Sequence, residues 1–137
     1  MRVATLGIVL SVAMLASAKT ADAGSRHLSL GEVAILPTGA AHLTPELRAD
    51  LEAEIGALDL RSARKDAILS VSLVKLDTER GAAECVVSAA LRSRSGGVLF
   101  AILEGHARAQ GASAQVPENA LRGAIHGALS RVPEALR

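Results

Sequence analysis

Polar and apolar positions along the chain alternate with two different periods, and the switches between them mark out the elements. Residues 28–36, LSLGEVAIL, read as a strand that Pro37 ends and Thr38–Gly39 turns. In TPELRADLEAEIGAL, residues 44–58, the apolar positions Leu47, Leu51, Ile55 and Leu58 recur at helical spacing and form one stripe. Thr44 is the expected N-cap and Pro45 suits the first helical position. Glu46 and Asp50 lie near the positive end of the helix dipole, and Arg61, Arg64 and Lys65 follow its negative end.

From residue 67 the period changes to two. Leu69, Val71 and Leu73 alternate with Ser70 and Ser72, which predicts a half-buried strand over 67–77. A turn over 78–82 around Gly81 leads to a second strand, 84–93, with Cys85, Val87, Ala89 and Leu91 inward and Glu84, Ser88 and Arg92 outward. Residues 98–108, VLFAILEGHAR, form a third strand, apolar on both faces at its start and polar on one face at its end. Two apolar faces predict a central strand or one partly covered by a helix. After the small-residue loop 109–116, Pro117 opens a helix in which Leu121, Ile125, Leu129 and Val132 repeat the stripe. Gly123 and Gly127 beside that stripe allow the helix to lie close to a sheet. Pro133 is expected to end or kink it, with Leu136 packing as a short tail. The predicted fold is α+β with the order β-α-β-β-β-α: a mainly antiparallel sheet with two helices packed on one face.

The N-terminal stretch belongs to none of these elements. Arg2 precedes an uncharged run of 16 residues, Val3–Ala18, and two A-x-A patterns follow at Ala16–Ala18 and Ala21–Ala23. That is the order of parts in a secretory signal peptide. A spanning helix needs about 20 apolar residues, more than are present. Residues 1–23 are therefore read as a signal peptide cleaved after Ala18 or Ala23, and residues 24–137 as a single α+β domain that is periplasmic or secreted. No cysteine follows the apolar run, so a lipid anchor is not expected, and no stable membrane anchor remains after cleavage.

Composition narrows the function classes. Loss of Arg2, Lys19 and Asp22 from the 15 basic and 14 acidic side chains leaves 13 of each in a chain starting at Gly24. A neutral chain gives no electrostatic case for nucleic acid or an anionic membrane. Phe100 is the only aromatic residue, which disfavours base-stacking and cation-binding aromatic sites. The single cysteine, Cys85, excludes an internal disulfide; its alternation with Val87 places it inward and inert.

Few stretches suggest chemistry. In RSRSGG, residues 92–97, two arginines precede a Gly-Gly pair. A phosphate-cradling loop would lead into a helix and carry a lysine after the glycines. A strand follows here, so the segment reads as a hairpin turn in which Gly96 and Gly97 supply positive φ. Arg92 and Arg94 are then expected on one outer face as a possible contact for an acidic partner. His106 and Glu104 share a strand face, and with His42 they make the alternative reading, a small secreted enzyme or metal-binding protein. No HExxH, H-x-x-x-H or G-x-S-x-G pattern supports it, so catalytic, cofactor and metal residues are expected to be absent and the chain is not expected to be an enzyme.

Residues 68–109, ILSVSLVKLDTERGAAECVVSAALRSRSGGVLFAILEGHARA, followed by NALRGAIHGALSRV, resemble three groups of envelope domains. These are the TolB amino-terminal domain, the curli secretion family and the lipoprotein activators of penicillin-binding proteins. SGGVL and GALSRV stand where those families place a strand turn and a closing helix, and the likeness covers residues about 67–132. The chain departs from them in lacking a lipobox and a long membrane-crossing hairpin. The resemblance implies a non-catalytic adaptor, without pore formation, and transfers no functional residue. Cystatin-like inhibitors share the opening order of strand, helix and strands. Their Q-x-V-x-G loop is absent here, since Gln115-Val116-Pro117 does not match it.

The sequence therefore predicts an exported, non-catalytic binding or adaptor module in the envelope of a Gram-negative-type cell. Its expected partner is an envelope protein docked at a sheet edge or outer strand face, with oligomerisation as the further structural option.

Overall fold

The computed structural model describes residues 27–137; the predicted signal peptide, residues 1–23, lies outside the described residues. Strand β1 (Leu28–Ile35) is followed by a short 3-10 turn at Ala41–Leu43 and helix α1 (Thr44–Ala57). Three long strands come next: β2 (Ala67–Glu79), β3 (Ala82–Ser93) and β4 (Leu99–Gln110). Helix α2 (Val116–Leu129) and a single turn, α3 (Val132–Ala135), close the chain. The order β-α-β-β-β-α is the predicted one, and the fold is α+β.

The four strands lie in the sheet in chain order, β1-β2-β3-β4. β1 runs parallel to β2, because α1 carries the chain back to the starting end of the sheet. The other two pairs are antiparallel hairpins. Leu69, Val71 and Leu73 of β2 and Cys85, Val87, Ala89 and Leu91 of β3 all face the same side and are at most 1 % exposed. Leu47 and Leu51 of α1 and Leu121, Ile125 and Leu129 of α2 cover them, all fully buried. One continuous apolar core results, and the opposite sheet face carries Ser70, Ser72, Ser88 and Arg92 without a helix over it. Each fully buried Leu or Ile contributes about 2 kcal/mol, so the two stripes supply much of the stability.

Several local expectations need correction. Thr44 does not cap α1 by accepting from its N–H groups. The preceding 3-10 turn has already satisfied the entry, and the Thr44 hydroxyl donates to the Ala41 carbonyl at 2.7 Å. The turn after β2 is shorter than 78–82. Arg80 and Gly81 both adopt positive φ, 48° and 76°, which makes a two-residue turn whose twist matches the flanking strands. Pairing therefore extends to Glu79 and Ala82. At the next hairpin only Gly97 has positive φ, 68°. The Ser93 main chain exchanges bonds with Val98 and Gly97 at 2.8 Å each, and the Ser93 hydroxyl accepts from Val98 N–H at 3.1 Å. Gly96 is not needed for its φ. Pro133 does not simply stop the chain. It sits at the start of α3, where a missing N–H costs nothing, and so lets one further turn form.

That last turn ties the chain end to the core. Leu136 is fully buried, and its carbonyl accepts from Arg64 N–H at 2.7 Å and Lys65 N–H at 3.1 Å. On the other side of the core, α2 lies almost in contact with β4. An added Cβ at Gly105 would fall 1.8 Å from the Ala124 carbonyl oxygen, and one at Gly123 would fall 2.9 Å from Ala107 Cβ. Gly127 is less critical, with its nearest neighbour at 3.7 Å, Gly105 Cα.

Candidate functional site

With one face of the sheet filled by helices, the open face and the edge strands β1 and β4 are surfaces where this fold can meet something else. Register fixes what stands there. Across β2, β3 and β4 the outward rows are Ser70–Ala90–Ile102, Ser72–Ser88–Glu104, Lys75–Val86–His106 and Asp77–Glu84–Arg108. The face thus grades from apolar at the Ile102 end, through a serine-rich middle, to charged at the Arg108 end.

The charged end is a small network. Glu84 Oε1 lies 3.3 Å from Lys75 Nζ and 3.3 Å from His106 Nε2, and Lys75 also reaches Asp77 at 3.3 Å. The Lys75 hydrogen bond, reinforced by its charge, holds the Glu84 carboxyl below its ordinary range. The lysine is raised in turn, first by Glu84 and then by Asp77. All of these groups are substantially exposed, so the network adds little stability. An open cleft of about 620 Å³ runs past it along the Arg80–Gly81 turn to Arg108, Gln110 and Gly111. Both signs of charge line that cleft, which gives it no preference for an anion or a cation.

The apolar end is more unusual. Val98 is 65 % exposed, Ile102 64 % and Leu99 42 %. The start of β4 is apolar on both faces, as read from the sequence; of the two arrangements expected, β4 is not central but is partly covered by a helix. It is an edge strand whose inner face meets α2 and whose outer face is bare. Phe100 is half-buried beside this patch, with Lys65 Nζ 5.1 Å from its ring centroid.

The residues singled out from the sequence fall as follows. Arg92 is exposed on the open face, opposite Ile68 and Leu99. Arg94 lies beyond the strand end, in the turn. Its guanidinium donates to Ser29 Oγ at 3.2 Å and its main-chain N–H donates to the Asp66 carbonyl at 3.1 Å. β3 ends at Ser93, so Arg94 lies past the strand, and it reaches Ser29, which stands in the same cross-strand row as Ile68 and Arg92.

His42, Glu104 and His106 are not brought together. His42 Nδ1 bonds the Gly39 carbonyl at 3.1 Å, His106 faces Glu84, and the Glu104 carbonyl accepts from the Arg131 guanidinium. Among the described residues no group of three His, Cys, Asp or Glu converges as a metal site would require. The other histidines pair with acids: His27 with Asp66 at 2.7 Å and His126 with Glu54 at 3.2 Å.

Cys85 is fully buried, and burial pushes its thiol up to about 11. The native chain is therefore expected to resist maleimide labelling at pH 8, and to label within minutes in denaturing urea. Rapid labelling without denaturant would show that the thiol is exposed and reactive.

Two features escaped the sequence reading. Asp50 looks like a solvated residue of an acidic helix face, yet its side chain is only 14 % exposed at the seam with α2, and its Oδ2 has no hydrogen-bond partner. Burial raises its pKa more than Arg122, 3.8 Å away, lowers it. The exposed apolar cluster on β4 was hidden because periodicity gives the faces of a strand but not what lies on them. The run Val98 to Leu103, apolar at both parities, was its only signal.

Among the described residues no helix is long and apolar enough to cross a membrane. No known protein family matches the chain, and no curated protein matches it. Solved structures similar to it include a candidate lipoprotein from Caulobacter crescentus CB15, with TM-score 0.48 and 11 % identity over 86 % of this chain and 93 % of that one. They also include the PelC L103M dodecamer from Paraburkholderia phytofirmans, with TM-score 0.49 and 19 % identity over 77 % and 87 %. A minor lipoprotein from Acinetobacter baumannii has TM-score 0.35 and 11 % identity over 75 % and 89 %. Two of these three are lipoproteins by description, and none of the three bears out the particular envelope families expected from the sequence.

Proposed function

We propose that the chain is an exported, non-catalytic module of the bacterial cell envelope that binds a protein partner on the open face of its sheet. The observation that carries this reading is the exposure of Leu99 and Ile102, in register with Arg92 and Ala90 of the open face, with exposed Val98 just before β4. Large aliphatic side chains left exposed beside serine-rich rows are favourable to cover. The rows beside them carry the short side chains of Ser70, Ser72, Ser88 and Ala90. Export is supported by the order of charge, apolar run and A-x-A patterns at the start of the sequence. The non-catalytic part is supported by the engagement of each histidine and the burial of the single cysteine.

A photo-cross-linking residue at position 99, in cells exporting the chain, tests the docking face. One dominant envelope-protein adduct is expected from position 99, lost when Ile102→Lys is added, and none from position 52 on the exposed side of α1. Failure to form the adduct, or the same adducts from both positions, would count against the proposal.

A further inference from the structure

The outer edge of β4 has an addressable chemistry of its own. Gly111 N–H donates to the Gly81 carbonyl at 2.8 Å, which makes 81 and 111 a hydrogen-bonded pair. Bonding alternates along an antiparallel ladder. With the register Ala83↔Ala109 to Ala89↔Leu103, the odd residues of β4 therefore spend their main-chain groups on β3. The even residues, Ile102 to Gln110, turn theirs to the free edge. The Arg131 guanidinium bonded to the Glu104 carbonyl from outside the sheet agrees with this assignment.

The same even residues present their side chains on the open face, and two of them carry opposite charge. Glu104 and Arg108 are four residues apart on one extended strand, and neither side chain has an ion-pair or hydrogen-bond partner among the described residues. Arg108 stands opposite Glu84, but Glu84 is engaged by Lys75 and His106 instead. Charges of opposite sign placed this way along an edge are what a two-fold axis between them would pair reciprocally.

We infer that β4 pairs, antiparallel, with β4 of a second copy of this chain, about a two-fold axis at His106. In that register Glu104 of each copy faces Arg108 of the other, and Ile102 faces Gln110. Each of these even residues meets an even residue, so their free main-chain groups bond directly. On the inner side Gly105 faces Ala107 and Leu103 faces Ala109, with no charge and no large pair to collide. An axis at Gly105 instead sets Arg108 against Ile102, an axis at Glu104 brings two carboxylates together, and an axis at Arg108 brings two guanidinium groups together. Only the His106 register satisfies both charges. Arg131 guards the edge in the single copy, as native sheets blunt such strands, and it must swing away from the Glu104 carbonyl for pairing. In this pairing Gln110 of the second copy flanks Ile102 at the edge, while Val98 and Leu99 lie beyond the paired residues, so position 99 still reports the docking face proposed above independently of the dimer.

Sedimentation equilibrium on the purified exported chain tests it, with circular dichroism reporting that each variant is folded. The chain is expected to dimerise reversibly. Glu104→Arg alone and Arg108→Glu alone each set like charges against each other twice and should weaken the dimer about tenfold or more. The double exchange Glu104→Arg with Arg108→Glu should restore it, and Arg131→Ser should tighten it. A chain that stays monomeric as wild type and as Arg131→Ser overturns the inference, as does a double exchange no better than either single one. A monomeric chain whose position 106 photo-cross-links only to another protein would assign the edge to that protein, and also overturns it.

Discussion

Gly105→Ala is expected to be among the most damaging single substitutions in this protein, although it adds one methyl group on a strand that is half exposed. The added carbon would stand 1.8 Å from the Ala124 carbonyl oxygen and 2.6 Å from the Ala128 nitrogen, both in the backbone of α2. A flexible side chain could move aside, but a helix backbone can yield only by lifting the helix. Lifting α2 would loosen Leu121, Ile125 and Leu129 from the core together. Overpacking of cores costs about 1–3 kcal/mol, and a collision with rigid backbone belongs at or above the top of that range. Urea unfolding of Gly105→Ala should therefore show a loss of about 3 kcal/mol or more. Gly127→Ala, whose added carbon meets only ordinary contacts, should lose far less or nothing. Equal losses in the two variants would mean that α2 does not lie on β4 as closely as described.

Removing the last two residues, Leu136 and Arg137, is expected to have a comparable effect. Terminal residues are often dispensable. Here Leu136 is fully buried against the core, and its carbonyl receives two main-chain N–H groups from the segment before β2. Burial of a leucine is worth about 2–5 kcal/mol against truncation to alanine. The deletion also leaves the N–H groups of Arg64 and Lys65 to find water. Leu136→Ala isolates the packing part, because it keeps the carbonyl; the deletion should be the more damaging of the two. Both are read from the midpoint of urea unfolding. If the deletion is neutral, the chain end is not docked.

Much of the fold was legible from spacing alone. The stripes Leu47–Leu51–Ile55 and Leu121–Ile125–Leu129 and the alternations in β2 and β3 give helix, strand and inward face directly, because each depends only on backbone periodicity. Element ends were less legible. The Arg80–Gly81 turn is two residues rather than five because sheet twist selects positive φ even at an arginine. Thr44 donates rather than caps because a 3-10 turn, invisible in the apolar pattern, precedes it.

The candidate site divides in the same way. Sequence determined that Ser70, Ser72, Ser88 and Arg92 share a face, that Cys85 points inward, and that His106 and Glu104 lie on one side of a strand. Those follow from alternation within single elements. Only the tertiary structure decided that β4 is an edge, that Ile102 is bare while Leu103 is covered, that His106 meets Glu84 rather than His42, and that Arg94 reaches Ser29. These depend on which elements become neighbours and on how closely they pack. A one-dimensional pattern records how a residue repeats along its own strand or helix. It carries no record of the surface that arrives from elsewhere in the chain, and in this protein that surface sets which side chains are left for function.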